Sequence, residues 1–223
     1  VRVRAFTGPF SEVEVVVRAA DTPQGTTLTA LARGQLSRGG WALGGWAGLL
    51  HDQGAAALFA TGAAGATAVR GEMALREDPD GGALVRATVG ADRRFTAAGR
   101  DLFAVVEVQY DGYGAATPSE LLRVAASPAY TRGEMQTLGR WTGATQVSFQ
   151  IHPLVELDGL VLVDLDDGSA LLGPGVSWSA TSAASLRLGA FRSVGASGFQ
   201  GADLRSAYGS TPTVGYASLS WFF

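Results

Sequence analysis

The sequence predicts an all-β protein: an antiparallel up-and-down transmembrane β-barrel with about thirteen strands in these 223 residues. Three observations point there. Apolar and polar residues alternate with a period of two through segment after segment, which gives each strand one apolar and one polar face. Gly, Pro and Asp punctuate the segments at intervals of roughly ten residues. Hydrophobic residues make up 47% of the chain, yet no run reaches the roughly 18–20 apolar residues that would cross a bilayer as a helix. In hydrocarbon every backbone polar group needs an internal partner, so apolar content without a helical span fits a closed sheet. It fits an Ala/Gly-rich soluble protein as well, and the choice rests on the alternation.

Taken in order, Val1-Arg2-Val3-Arg4 already reads as strand, and Thr7-Gly8-Pro9 as a turn. Glu12, Glu14, Val16 and Arg18 then alternate with Val13, Val15, Val17 and Ala19. Leu28, Ala30 and Ala32 alternate with Thr27, Thr29, Leu31 and Arg33. The stretch from Gly40 to Leu50 places Gly40, Gly44 and Gly48 at the spacing of close-packed membrane helices. As a helix it would cover only about 16 Å, half a bilayer, before His51-Asp52-Gln53. As a strand it puts Trp41, Leu43, Ala47 and Leu49 on one face, and this is the reading adopted. The Ala-rich 54–65 that follows carries no period of its own.

Beyond Ala66 the alternation sharpens. Val69, Gly71, Met73 and Leu75 oppose Arg70, Glu72, Ala74 and Arg76, and Asp78-Pro79-Asp80-Gly81-Gly82 turns the chain. Val85, Ala87 and Val89 oppose Arg86, Thr88 and Asp92. Leu102, Ala104, Val106, Val108 and Tyr110 oppose Glu107, Gln109 and Asp111. Val147, Phe149 and Ile151 oppose Gln146, Ser148, Gln150 and His152. Leu172, Pro174, Val176 and Trp178 face away from Gly173, Gly175, Ser177 and Ser179, as Leu186, Leu188 and Ala190 do from Ser185, Arg187 and Gly189. The two longest links, 112–138 and 194–212, fall on one end of the strands, whereas 181–183 is short and falls on the other. Asp166-Asp167-Gly168 is a short hairpin at the long-link end.

The chain finishes on Thr213 to Phe223, reading TVGYASLSWFF. Gly215, Ala217, Leu219 and Trp221 interleave with Tyr216, Ser218, Ser220 and Phe222. This ending resembles the closing strand of bacterial outer-membrane β-barrel proteins of porin-like type, which terminate on Phe after alternating apolar residues. The resemblance covers the general pattern from about Ala66 to Phe223. It implies a Gram-negative outer-membrane location, contact with outer-membrane lipid and lipopolysaccharide, and handling by the barrel assembly machinery through the strand that ends in Phe223. Thirteen strands with the first descending imply at least one more strand before Val1, hence 14 or more in the full barrel, and an export signal removed or lying upstream. Trp221, Phe223, Trp178 and Trp41 would form one interfacial girdle, and Tyr110 and Trp141 the other.

Composition excludes several classes. A net charge of −3 gives no basic stripe for nucleic acid. Zero Cys removes disulfides, thiolate chemistry and Cys-ligated zinc. All 17 basic residues are Arg, so a P-loop, which needs Lys, is absent. No cofactor is implied. Asp164-Leu165-Asp166-Asp167-Gly168-Ser169 resembles the opening of a calcium loop, but Gly175 stands where the bidentate Glu belongs, and a tight hairpin is the better reading. His51 and His152 are the only histidines; no G-x-S-x-G accompanies them, so an enzyme is not expected. Residues 117–126 read as a short capped helix, with Pro118 and Glu120 in its first turn, folded over the mouth or inward as a plug. Arg123, Arg132 and Arg140 nearby read as solvated surface charges, with phosphates of lipopolysaccharide as the alternative partners.

The expected function is passive diffusion of small hydrophilic solutes through a porin-like channel, without strong charge selectivity. Its expected pore-lining residues are Arg70, Glu72, Arg76, Arg86, Asp92, Glu107, Gln109, Gln146, Gln150 and Arg187. Arg2, Arg4, Glu12, Glu14 and Arg18 belong to the same row. The alternatives are a barrel used for anchoring or adhesion and an outer-membrane lipid hydrolase built on His152.

Overall fold

The computed structural model describes residues 1–8, 11–22, 25–78 and 81–222. The chain forms β1 (Arg2–Gly8), β2 (Ser11–Thr22), β3 (Gly25–Arg38), β4 (Trp41–Leu50), β5 (Gln53–Ala64), β6 (Thr67–Glu77), β7 (Ala83–Ala97) and β8 (Arg100–Asp111). It continues with β9 (Trp141–His152), β10 (Val155–Asp164), β11 (Ala170–Thr181), β12 (Ala184–Val194), β13 (Phe199–Gln200), β14 (Asp203–Leu204) and β15 (Val214–Trp221). Thirteen of these make one antiparallel up-and-down sheet in the order of the sequence, and β13 pairs only with β14. A 3-10 turn (Pro118–Glu120) and two short helices, α1 (Leu121–Ala125) and α2 (Pro128–Thr131), lie in the β8–β9 link. Among the described residues no helix is long and apolar enough to cross a membrane. Phe223, Asp80, Pro79 and Pro9, which carried sequence expectations, lie outside the described residues.

The fold divides into two compact units, residues 1–90 and 91–223. In the first, register separates the two faces. Val15 pairs with Ala32, Ala32 with Ala47, Ala47 with Ala56 and Ala56 with Leu75. One residue over, Glu14 pairs with Arg33, Arg33 with Trp46, Trp46 with Ala57 and Ala57 with Ala74. The 40–50 stretch is therefore a strand, and the Ala-rich segment after it is β5, paired on both sides. Small residues are used where side chains lie flat: Phe59 covers Gly44 and Trp41 covers Gly62, so a Cβ at either glycine would collide with a ring. His51 and Asp52 form the β4–β5 turn at φ 53° and 65°. Their left-handed backbone is held by His51 Nδ1 to Thr27 Oγ1 at 2.9 Å and by the Leu28 amide donating to Asp52 Oδ1 at 3.0 Å.

In the second unit β8 to β12 and β15 repeat the rule. Leu102–Phe149–Leu157–Val176–Leu188–Ala217 runs across the apolar face, each residue opposite the next. The Val and Leu rows stay exposed in both units; Leu58 is 67% and Leu219 69% exposed. What is deeply buried lies elsewhere. Leu121, Val124, Asp111 and Ser169 are the largest fully buried side chains among the described residues. The buried apolar cluster therefore sits in a link, and among the described residues no second layer packs on the apolar rows.

Candidate functional site

The β8–β9 link leaves and returns side by side. The Asp111 amide donates to the Arg140 carbonyl at 2.8 Å, and Ala115 and Gly139 form a parallel bridge. Asp111, 1% exposed, turns the departing strand by accepting the Tyr113 amide at 3.0 Å. The predicted helix at 117–126 resolves into the 3-10 turn followed by α1. Thr117 does not cap it through its side chain; its hydroxyl meets Ser119 instead. Glu120 does the work from inside, accepting the Ala116 amide at 2.7 Å. That backbone bond holds the Glu120 carboxyl below its usual range, with Arg123 and Arg140 adding to it. Ser127 caps α2 by accepting the Tyr130 amide at 3.2 Å. Ala115, Leu121, Val124, Ala129 and Met135 close into an apolar cluster, against which Tyr113, Tyr130, Leu138, Leu204 and Ala207 pack. The last two come from the 195–213 link, so the two long links share one small core.

This cap is fastened to the strand ends by carboxylates. Asp164 accepts the amides of Asp166 and Asp167 at 2.9 and 3.1 Å. Asp166 accepts the Trp141 amide at 2.8 Å. Asp167 accepts Ser169 with one oxygen and Ala207 with the other, both at 2.7 Å. Ser169 Oγ accepts the Tyr208 amide at 3.1 Å. All three carboxylates of the hairpin are thus engaged by backbone N–H groups, which is the tight-turn reading of Asp164 to Ser169. Among the described residues no group of three or more acids or histidines could hold a metal. Tyr208 is the exception to this satisfied network. Its hydroxyl is buried with no hydrogen-bond partner, and burial, then the charges of Asp164 and Asp167, push its pKa up to about 12.

The cap lies on the polar side of the sheet. Thr142, opposite Asp164 in the register, donates to Thr137 Oγ1 at 3.1 Å, and the Asp164 carboxylate fills the space where a Cβ at Gly139 would stand. Next along the polar face comes Glu107–Ala144–Leu162–Leu171–Ser193, then Val105–Gln146–Leu160–Gly173. Below them run Phe103–Ser148–Asp158–Gly175–Gly189–Tyr216 and Gln150–Glu156–Ser177–Arg187–Ser218. Of the residues expected to line a pore, Glu107, Gln109, Gln146, Gln150 and Arg187 all stand on this face, Gln109 opposite Thr142. Arg187 bonds Asp158 at 3.0 Å.

The remaining expected residues belong to the first unit or to β7. Arg70 pairs with Thr61, Glu72 with Phe59 and Arg76 with Ala55, on the face that carries Arg33 and Glu14. Arg86 and Asp92 share parity with Gly90 along β7, where a Cβ would stand 3.1 Å from Arg70 Nε. Nearer the N-terminus the charges interlock: Arg2 and Arg4 reach Glu14 at 2.7 and 2.8 Å, and Arg33 reaches Glu12 at 3.1 Å. Opposite signs on neighbouring strands therefore neutralise one another locally.

Sequence reasoning missed the apolar members of the polar face: Phe103, Val105, Leu160, Leu162, Leu171, Phe191 and Val214. A signal was there, because Leu160-Val161-Leu162-Val163 does not alternate. His152 stands at the end of β9, its Nδ1 accepting the Leu154 amide at 3.2 Å, and His51 belongs to the β4–β5 turn. Tyr110 and Trp141 pair at the cap end with ring centroids 4.9 Å apart. Trp178 and Trp221 stand at the other end, beside the 182–183 turn. Comparison with family models, with curated proteins and with solved structures found no match.

Proposed function

We propose that the chain is a porin-like barrel of a bacterial outer membrane that lets small hydrophilic solutes diffuse passively. One observation carries the reading. Strand after strand keeps an exposed apolar row on one face and ionisable or amide side chains on the other, with no second layer over the apolar rows among the described residues. In water such an exposed surface would drive association. Against lipid it costs nothing, provided the sheet closes so that its edges are satisfied. Aromatic residues at both ends of the second unit's strands suit the two interfaces. The polar face then lines the path, and the cap narrows its outer end. Lipopolysaccharide would surround that end, and the assembly machinery would engage the C-terminal strand.

The experiment is reconstitution into planar bilayers in KCl, beside far-UV spectroscopy and heat-modifiable gel migration. Discrete ohmic conductance steps are expected. A heat-modifiable β protein that inserts yet never conducts would support the anchoring alternative; one that stays monomeric in detergent-free buffer would end the membrane reading.

A further inference from the structure

Three glycines stand close together on the polar face of the second unit: Gly173 and Gly175 on β11, and Gly189 on β12. None has positive φ, so their value is the missing Cβ. A Cβ on Gly173 would stand 2.8 Å from the Phe191 ring. One on Gly175 would meet the Asp158 carboxylate, and one on Gly189 the Tyr216 phenol. Phe191, Tyr216 and Asp158 therefore lie down over bare backbone and are held there. The two rings stack, with centroids 5.8 Å apart and planes 28° from parallel. Beside them Asp158 grips Arg187 at 3.0 Å; the Asp158 side chain is 14% exposed and that of Arg187 53%.

We propose that this ledge is a subsite for a neutral polyhydroxylated ring, the pyranoside class. The proposal rests on the channel reading for its place in solute traffic, though its chemistry is local. Stacked aromatic rings offer an apolar platform that suits the C–H face of a sugar ring. The Arg187–Asp158 pair offers charged donors and acceptors together with no net charge. An anionic solute would face Asp158 and neighbouring Glu156, and a cationic one would face Arg187; a polyol satisfies both partners. Ser177 and Ser218, opposite Arg187 on the flanking strands, add hydroxyls at the same level.

The test uses the full chain folded in an amine-oxide detergent, which carries no sugar. Saturation-transfer NMR is run with methyl β-D-glucopyranoside, with sorbitol as an acyclic control of like hydroxyl content. Saturable transfer to the ring C–H protons is expected, with little to sorbitol. Tyr216→Ala should weaken it about tenfold, the upper range for one aromatic contact. Gly189→Ala keeps the ring but displaces it, so it should weaken binding too, and Phe191→Leu provides a variant of retained apolar bulk. Heat-modifiable migration checks that each variant folds. Equal transfer to sorbitol, no transfer at all, or binding unchanged in folded Tyr216→Ala and Gly189→Ala overturns the subsite. Conductance in KCl is measured on the same preparation. Conduction without sugar binding removes the subsite and leaves the channel; sugar binding without conduction keeps the subsite and removes the channel.

Discussion

The carboxylate of Asp167 accepts the amide of Ala207 at 2.7 Å, tying together two points forty residues apart in sequence. Its other oxygen holds the Ser169 amide. Asp167→Ala removes both acceptors and costs the cap about 1–3 kcal/mol, because the two N–H groups lose a charged partner. Limited proteolysis should then cut within 195–213 at least several times faster, while the strands stay protected. Asp167→Asn, which keeps one carbonyl acceptor, should fall between.

Leu121 is the anchor of the cap core, 2% exposed. Leu121→Ala should cost about 2–5 kcal/mol, taken from a cluster of only five buried side chains among the described residues. Hydrogen exchange should rise through 115–135 and around 204–207 and leave β9 to β12 slow. If the cap narrows a channel, the same variant conducts more.

Tyr208 links cap stability to alkaline pH. Its pKa is raised from the ordinary 10 to about 12, so the fold prefers the neutral phenol. The unfolded chain ionises first. The contribution is therefore complete below pH 10 and declines as pH climbs from 10 towards 12. Absorbance titration should show one of the five tyrosines ionising last. Tyr208→Phe should abolish that late phase. Below pH 9 it should stabilise the cap by about 1 kcal/mol, since it deletes a buried hydroxyl that makes no bond.

Ala98 has φ 51° in the two-residue turn between β7 and β8, beside Gly99 at φ 70°. His51 and Asp52 adopt the same region with side-chain hydrogen bonds to hold it; a methyl group has none to offer. Ala98→Gly or Ala98→Asn should raise the urea midpoint in vesicles by the equivalent of about 1 kcal/mol.

Glu14 sits between Arg2 and Arg4. Glu14→Gln removes the negative charge the two guanidiniums share, leaving Arg4 only Glu12 at 3.7 Å, without altering side-chain size. In the channel reading, the reversal potential in a KCl gradient should move towards anion preference, and an unchanged potential would place these residues away from the ion path.

The sheet was legible because one face carries apolar and the other polar side chains, and Met73, Leu75, Val147 and Leu219 each announce their side by parity alone. β5 was not legible: alanine satisfies either face, so Ala55 to Ala57 carry no period until β4 and β6 fix it. Leu160 and Leu162 break the alternation on the polar face, where Leu160 pairs with Gly173 of the aromatic ledge and Leu162 with Leu171. The helix at 117–126 was foreseen in place, but its capping atom was not. A Thr–Ser hydroxyl contact displaced the expected cap, and only the fold could reveal that Ala116 turns its amide towards Glu120. The tethering of Asp166 and Asp167 to Trp141 and Ala207 spans too much sequence for any local rule.

The shared core of the two long links has a consequence for the order of assembly. Leu121 and Val124 gain their full packing only when Leu204 and Ala207 arrive, and those residues follow five further strands, β9 to β13. The cap is thus a late event, completed only after β9 to β12 have been laid down in register. A chain stalled before that link would leave this small greasy knot short of two of the side chains that pack on it.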